Sequence, residues 1–336
     1  MVTIYDIAKY CGVSPSTVSK VINNYSSIPE STKEKVLKAM EELNYIPNSS
    51  ATYLSKGKSN IIGILSCFGT RITPFKHSLF NEILDAFQSE MNKNKYDLLF
   101  ISRTVGKLDG TFYQNCISRN IDGVLMLGNM SHKEMKEVIM SEIPSVGFDY
   151  FGDLMSGVFS DNYSLMFQLT EHLVKLNHKE IVFITGDDTR VTDIRMGAFI
   201  DCLNKNGIKV SERKFVKSKY VDLARLEQII KELMERKVRP TAIMFPDDYS
   251  AIRGISILKK YGVECPRDIS ITGFDGVGTF EYFVPKLTTA RQNTTKIGVA
   301  LAQSLLDVIE KREAHQLVEV QGTIIIGEST KKFRYI

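Results

Sequence analysis

The sequence predicts an α/β protein: a small all-helical head followed by a large core of parallel sheets divided into two subdomains. Three observations lead there. The length of 336 residues exceeds the roughly 100–200 of one domain. The chain changes character near residue 60, before which apolar residues follow a helical period and Lys outnumbers Asp plus Glu by seven to five, with no Arg. Beyond it, short β-rich apolar runs at 61–65, 98–101, 123–127, 181–184, 242–245 and 269–274 alternate with amphipathic stretches of about 12–15 residues. Continuous apolar runs read as strands buried on both faces, and helices between them imply parallel crossovers. About 275 residues of such pattern are more than one open sheet needs, hence two subdomains.

Composition narrows the classes. A hydrophobic share of 43% and a charged share of 24% exclude wholesale disorder. A net charge of +4 excludes a basic coat, so nucleic-acid contact is confined to one segment. No apolar run approaches the roughly 18 residues of a membrane span. Residues 1–6 show no basic stretch leading into an apolar one. The five cysteines (Cys11, Cys67, Cys116, Cys202, Cys265) are scattered without a Cys-x-x-Cys, so a cytoplasmic protein with reduced thiols is expected. The five histidines stand at no metal-ligand spacing, and neither metal nor cofactor is expected.

In the head, Thr3 can cap a helix beginning at Ile4, with Asp6 as the acidic member of a capping box. Ile4, Ile7, Ala8 and Cys11 then form one apolar face, which Gly12 ends. Ser14 is a good cap for a second helix, and Pro15 suits its first position. Val18, Val21 and Ile22 face inward there, leaving Pro15, Ser16, Thr17, Ser19 and Lys20 on the outer side. A third helix over 30–43 closes the small core with Val36, Met40 and Leu43. Two short helices about a Gly-containing turn make a helix-turn-helix, whose second helix enters a major groove. A small bundle with no DNA role stays open on the pattern alone. Residues 49–55 are too few for an isolated helix, which needs about 12–15. They are expected to order against a symmetric copy and a minor groove, with Leu54 as an apolar wedge, or to be a plain linker.

In the core, crossover helices are expected over 80–92, 163–176, 195–206, 222–235, 249–261 and 294–311. Polar residues stand where apolar runs end: Asp149, Asp161, Asp247 and Asp275. A ligand cleft is expected at those carboxyl ends.

These residues resemble the lac/galactose repressor (LacI/GalR) family of bacterial transcription regulators. The carriers in the head are Thr3-Ile4-Tyr5-Asp6-Ile7-Ala8-Lys9, Gly12-Val13-Ser14, the run from Ser16 to Asn23, Lys35-Val36-Leu37 and Leu43-Asn44-Tyr45-Ile46-Pro47-Asn48, with Ala51 and Leu54 in the hinge. Beyond it come Asp122-Gly123-Val124, Asp161-Asn162-Tyr163, Asn177-His178, Arg195 with Phe199, Gly273-Phe274-Asp275 and the run from Leu287 to Gln292.

The resemblance implies a homodimer, with a tetramer left open, on a pseudo-palindromic double-stranded operator, and a core like periplasmic sugar-binding proteins. The implied division is a helix-turn-helix domain at 1–46, a hinge at 47–59 and an effector-binding and dimerisation core at 60–336. One subdomain would hold 60–161 and 292–320, the other 162–291 and 321–336. Pro15, Ser16 and Lys20 would stand at base-reading positions, with Thr3, Ser14, Thr17, Ser19 and Asn23 mostly at phosphates and Ala51 and Leu54 at the minor groove. Phe80, Asp149, Tyr150, Arg195, Tyr220, Asp247, Asp275 and Phe283 would fall at the effector cleft.

Some positions depart from the family. Pro15 offers no side-chain hydrogen bond, so Ser16 and Lys20 carry more of the direct reading. Thr52-Tyr53 stand where many relatives have Arg-Ser, and Asp247-Asp248 replace an Asn-Asp pair. Carboxylates and an arginine around aromatic rings suit a polyol, so a sugar-like effector is expected to set operator affinity, with the protein acting as a repressor. A regulator whose core answers a protein co-effector, and a sugar receptor without DNA role, remain as other readings. An enzyme is not expected. Gly57-Lys58-Ser59 lacks the upstream glycine of a phosphate loop, Gly276-Val277-Gly278 lacks the third dinucleotide glycine, and no Gly-x-Ser-x-Gly occurs.

Overall fold

The head is built of three helices, α1 (Ile4–Cys11), α2 (Pro15–Ile22) and α3 (Glu30–Glu42). This computed structural model describes residues 2–23, 25–46, 58–67, 75, 77–105, 108–128, 133–278, 282–311 and 315–334. Thr3 accepts from the Asp6 amide while Asp6 accepts from the Thr3 amide at 2.9 Å and its hydroxyl at 2.7 Å, so both orphan donors of the first turn are satisfied. Gly12 ends α1 at φ 62°, a left-handed conformation that a side chain would strain. Ile7, Ala8, Cys11, Val18, Val21, Val36 and Ala39 are buried together, and Tyr10 donates to Glu42 at 2.8 Å to tie α1 to α3. The hinge expectations, Ala51 and Leu54, lie outside the described residues.

The core then alternates. β1 (Ile61–Cys67), α4 (Ser78–Lys93), β2 (Asp97–Phe100), the short hairpin β3 (Thr104–Val105) and β4 (Leu108–Asp109), α5 (Phe112–Ser118), β5 (Gly123–Gly128), α6 (Lys133–Ile139), β6 (Ser145–Phe148) and β7 (Ser156–Ser160) come first. α7 (Asn162–Lys175), β8 (Ile181–Ile184), α8 (Arg190–Lys205), β9 (Phe215–Val216), α9 (Leu223–Met234), β10 (Ala242–Met244), α10 (Asp248–Lys260), β11 (Ser270–Asp275) and β12 (Thr288–Arg291) follow. α11 (Thr294–Ile309), β13 (Leu317–Val320) and β14 (Thr323–Ile325) end the order.

Two six-stranded sheets result, β13-β7-β6-β5-β1-β2 and β14-β12-β11-β10-β8-β9. Every pair is parallel except β12 with β14. Ile62 sets the register of the first sheet, opposite both Leu98 and Gly123. Strands this apolar need cover on both faces. α4 and α11 cover one face of the first sheet, and α5 and α6 the other. α9 and α10 cover one face of the second, and α7 and α8 the other.

Since α11 and β13 belong to the first sheet, the chain passes between subdomains three times: at Asp161, between β12 and α11, and between β13 and β14. The last residues strap the second subdomain. Ser329 accepts from Ile271 at 2.8 Å, the Phe333 amide donates to Leu176 at 2.8 Å, and His178 meets the Lys331 carbonyl at 3.0 Å.

One helix start differs from expectation by more than a turn. α8 begins at Arg190 rather than near 195, because Thr189 caps it from a turn. Arg195 therefore projects from the second turn, inside the helix rather than at its end. All five cysteines are free thiols. Among the described residues no helix is long and apolar enough to cross a membrane.

Candidate functional site

Two sets of side chains stand out, one on the head and one between the subdomains. On the head, Ser14, Ser16 and Lys20 are exposed along α2, with Pro15, Thr17 and Ser19 half-buried beside them. Ser14 accepts from the Thr17 amide at 3.1 Å, and its hydroxyl meets those of Ser16 and Thr17 at 2.8 Å each. A single cap thus holds three hydroxyls together at the N-terminal, partly positive end of α2. Asn23 turns its amide back onto the Ser19 carbonyl at 3.0 Å, leaving its Oδ1 buried without a partner. Thr3 is exposed at the start of α1.

Between the subdomains the second set gathers around Arg195. The guanidinium donates to Asn162 Oδ1 at 2.8 Å and to the Pro246 carbonyl at 3.0 Å. It lies over the Phe274 ring at 3.5 Å and the Tyr220 ring at 5.9 Å. The packing leaves it only 4% exposed. Asp149 faces it from the end of β6 in the other subdomain. Burial pushes that carboxyl up to about 7, with Arg195 pulling the other way and Asp275 pushing with burial. Asp275 ends β11; burial raises it to about 6 against the pull of His77 and Arg195. Gln292 donates to it at 2.7 Å, and Ser160 in turn donates to Gln292. Both aspartates adopt left-handed backbone, φ 57° and 105°, a strained region that functional sites often carry.

The other expected residues divide. Tyr220 is held by the Thr192 hydroxyl at 3.3 Å, and a Cβ on Gly186 would collide with its ring. Phe80 packs edge-on to Phe148 at 6.2 Å, just ahead of Asp149, and beside His77 at 5.3 Å. Asp247 is buried but occupied, capping α10 through the Ser250 amide and hydroxyl and accepting from Val221. Asp161 likewise caps α7 through the Ser164 amide at 2.9 Å.

Two more of the expected residues pack against apolar layers. Tyr150 turns into its own loop, where its hydroxyl accepts from Leu154 at 3.2 Å, and its ring joins the apolar layer under α5 and α6. Phe283 packs against the layer under α9 and α10. In each case nearby apolar surface captured the ring.

Sequence reasoning missed four residues. Asp248 accepts from the Gly276 amide and the Thr289 hydroxyl, and burial with Asp275 beside it raises its carboxyl well above the ordinary range. His77 lies 3.9 Å from Asp275 and packs its ring against Tyr249 at 5.3 Å. Tyr249 in turn meets the Ser78 hydroxyl at 2.7 Å, across the two subdomains. Asn162 completes the four. Asn162 and Asp248 stood in motifs already noticed; His77 and Tyr249 carried no local signal. Glu82 adds a second bridge, accepting from the Gly278 amide at 3.1 Å and the Thr294 hydroxyl at 2.9 Å. A groove of about 640 Å³ on the outer faces of α4 and α11 is separate from this cluster. A hollow of about 400 Å³ at the crossovers borders it at Gly276 and Gln292. No group of three or more His, Cys, Asp or Glu suited to a metal occurs among the described residues.

Comparison with known proteins assigns this architecture. Residues 3–48 match the bacterial regulatory proteins of the lacI family, and residues 170–330 match the periplasmic binding protein-like domain. The probable HTH-type transcriptional repressor ExuR of Bacillus subtilis is 30% identical over 319 residues, covering 93% of each chain. The chain belongs to the lacI family. The HTH-type transcriptional repressor PurR of Vibrio parahaemolyticus is 28% identical over 340 residues and 99% of each chain. Among solved structures, the lac repressor dimer bound to operator and the anti-inducer ONPF superimposes with a TM-score of 0.83 at 24% identity, covering 98% of this chain and 99% of that one. The transcriptional regulator CelR in complex with cellobiose gives 0.72 at 20% identity, over 98% and 100%. At those identities the two solved structures speak for the fold. Both relatives bear the name of HTH-type transcriptional repressor, ExuR as a probable one.

Proposed function

We propose that this protein is a repressor that binds a pseudo-palindromic operator as a homodimer and changes its operator affinity when a small sugar-like effector enters the cleft between its subdomains. The observation that carries the reading is the edge of α2. Val18 and Val21 are buried in the head while Ser14, Ser16 and Lys20 stay exposed beside them, so the helix can seat in a major groove without unfolding its core. Ser16 and Lys20 would read base edges, Lys20 as a single cation on a guanine. Thr3, Ser14, Thr17, Ser19 and Asn23 would meet phosphates, and Leu54 with Ala51 would serve the minor groove.

For the effector, support comes from Asp149 on one subdomain facing Arg195 and Asp275 on the other. Any ligand bridging them changes the relation of the subdomains and so of the two hinges. Exposed Phe75, tilted against the Phe100 ring at 4.7 Å, and exposed Tyr282 and Val284 on the second subdomain, give a second copy apolar surface to cover.

Selection of bound duplex from a random pool, with and without sugar mixtures, tests the reading. A symmetric half-site pair that weakens or strengthens with one sugar is expected. Lys20→Ala is expected to cost about 1–3 kcal/mol and to relax one base position, and Leu54→Ala to lower affinity without changing the half-sites. Failure to select any sequence overturns the DNA role. Selection without any sugar response turns the core toward a protein co-effector.

A further inference from the structure

We infer that the ligand of this cleft carries a basic nitrogen seated against Asp149, as in an amino sugar. The inference deepens the effector reading above and rests on it.

It begins with a count of donors. Asp247 accepts from the Val221 amide at 3.1 Å, the Ser250 amide at 2.7 Å and the Ser250 hydroxyl at 2.9 Å. Asp248 accepts from the Gly276 amide at 2.7 Å and the Thr289 hydroxyl at 2.6 Å. Asp275 accepts from Gln292 at 2.7 Å. Asp149 is different: its Oδ1 is buried with no partner. His77, 5% exposed, likewise holds a buried Nδ1 without a partner beside the same cluster. A buried acceptor left bare costs free energy that a ligand's donor restores.

Charge then separates the possible donors. Asp149 and Asp275 share one guanidinium, whose Nε and Nη1 are already held by Asn162 Oδ1 and the Pro246 carbonyl. A ligand hydroxyl would satisfy Asp149 and leave the local excess of acid unchanged. An ammonium would satisfy it and supply the missing positive charge where the dielectric is low. A uronate would add like charge to the cluster. Phe80 and Tyr220 supply the rings against which a sugar's apolar face packs.

The groups facing Asp149 are Arg195 from α8, Asp275 from the end of β11 and Tyr220 from the segment before α9, with His77 acting through Asp275. Burial holds Asp149 up to about 7, so near neutral pH an arriving cation ionises it and a proton leaves. Below that, Asp149 is neutral before the ligand arrives, and affinity falls as the solution is acidified.

The test is titration calorimetry on the full chain with D-glucosamine, D-galactosamine and D-mannosamine, each beside its neutral parent and its uronate. At least one amino sugar is expected to bind about tenfold tighter than its parent and to weaken about tenfold between about pH 7 and about pH 5.5. Its apparent enthalpy should differ between two buffers as the released proton is taken up. Asp149→Asn, which Asn's tolerance of left-handed backbone permits, is expected to bring the ratio of amine to parent to about one. The pH dependence of the unaltered chain is an independent readout should that variant fold poorly. Parents binding as tightly as amines, uronates binding tighter, or an amine preference that survives Asp149→Asn overturns the inference while leaving an effector cleft in place. Binding by no member of the panel overturns both.

Discussion

Asp149 and Asp275 show how position changes the meaning of a residue. Each stands at the end of a strand, and the sequence alone places both near an expected cleft. Burial between subdomains raises their carboxyls, Asp149 to about 7 and Asp275 to about 6. A carboxyl whose folded value lies above its unfolded one stabilises the fold most below the ordinary carboxylate range near 4, and that contribution is lost as pH rises through the folded value. Removing the charge at Asp149 therefore helps most on the alkaline side. Asp149→Asn is expected to gain about 2 kcal/mol more stability at about pH 8 than at about pH 5, read from urea unfolding at the two pH values. No gain on the alkaline side would mean that Arg195 already compensates the ionised form. Arg195 was legible because it stands near the start of a helical stretch, with Phe199 at the next turn of the same face. His77 was not: nothing beside it in the chain marks a histidine that meets Asp275 from the far subdomain.

At the scale of elements, local chemistry carried most of the information. Thr3 with Asp6, and Ser14 before Pro15, announce the starts of α1 and α2, because a cap bonds within three residues of itself. Ser14 also holds the hydroxyls of Ser16 and Thr17. Ser14→Ala is expected to cost the head about 1 kcal/mol and to lower hydrogen-exchange protection in α1 and α2 while leaving the core sheets unchanged. Equal loss of protection in head and core would show that the two unfold as one unit. The strands from 61 onward were legible as apolar runs. The start of α8 was not, since Thr189 caps it from a segment of Asp and Thr that resembles a loop until the turn is seen. Asp161 and Asp247 stand ahead of helices, and each carboxylate caps the helix that follows it.

At the scale of the molecule, the two subdomains are joined by more than their three crossovers. The Ser78 hydroxyl meets Tyr249, Glu82 accepts from Gly278, and His77 approaches Asp275, all from the first turns of α4 or just before it. Tyr249→Phe deletes one of these bridges. A hydrogen bond of about 1 kcal/mol corresponds to about a fivefold shift toward open forms, visible as a larger radius of gyration in small-angle scattering. An unchanged radius would place the closure in the crossovers instead. Helix caps, the helical period of 3.6, the continuous apolar runs of the strands, the acids that close them and the family's head motif all lie within a few residues of chain, so they could be read without a fold. The occupant of each carboxylate, the capture of the Tyr150 and Phe283 rings by neighbouring apolar layers, and the meeting of Asp149 with Arg195 and Asp275 required folding. Those contacts join distant segments, and a donor's reach across a subdomain boundary is set by packing that no local pattern encodes.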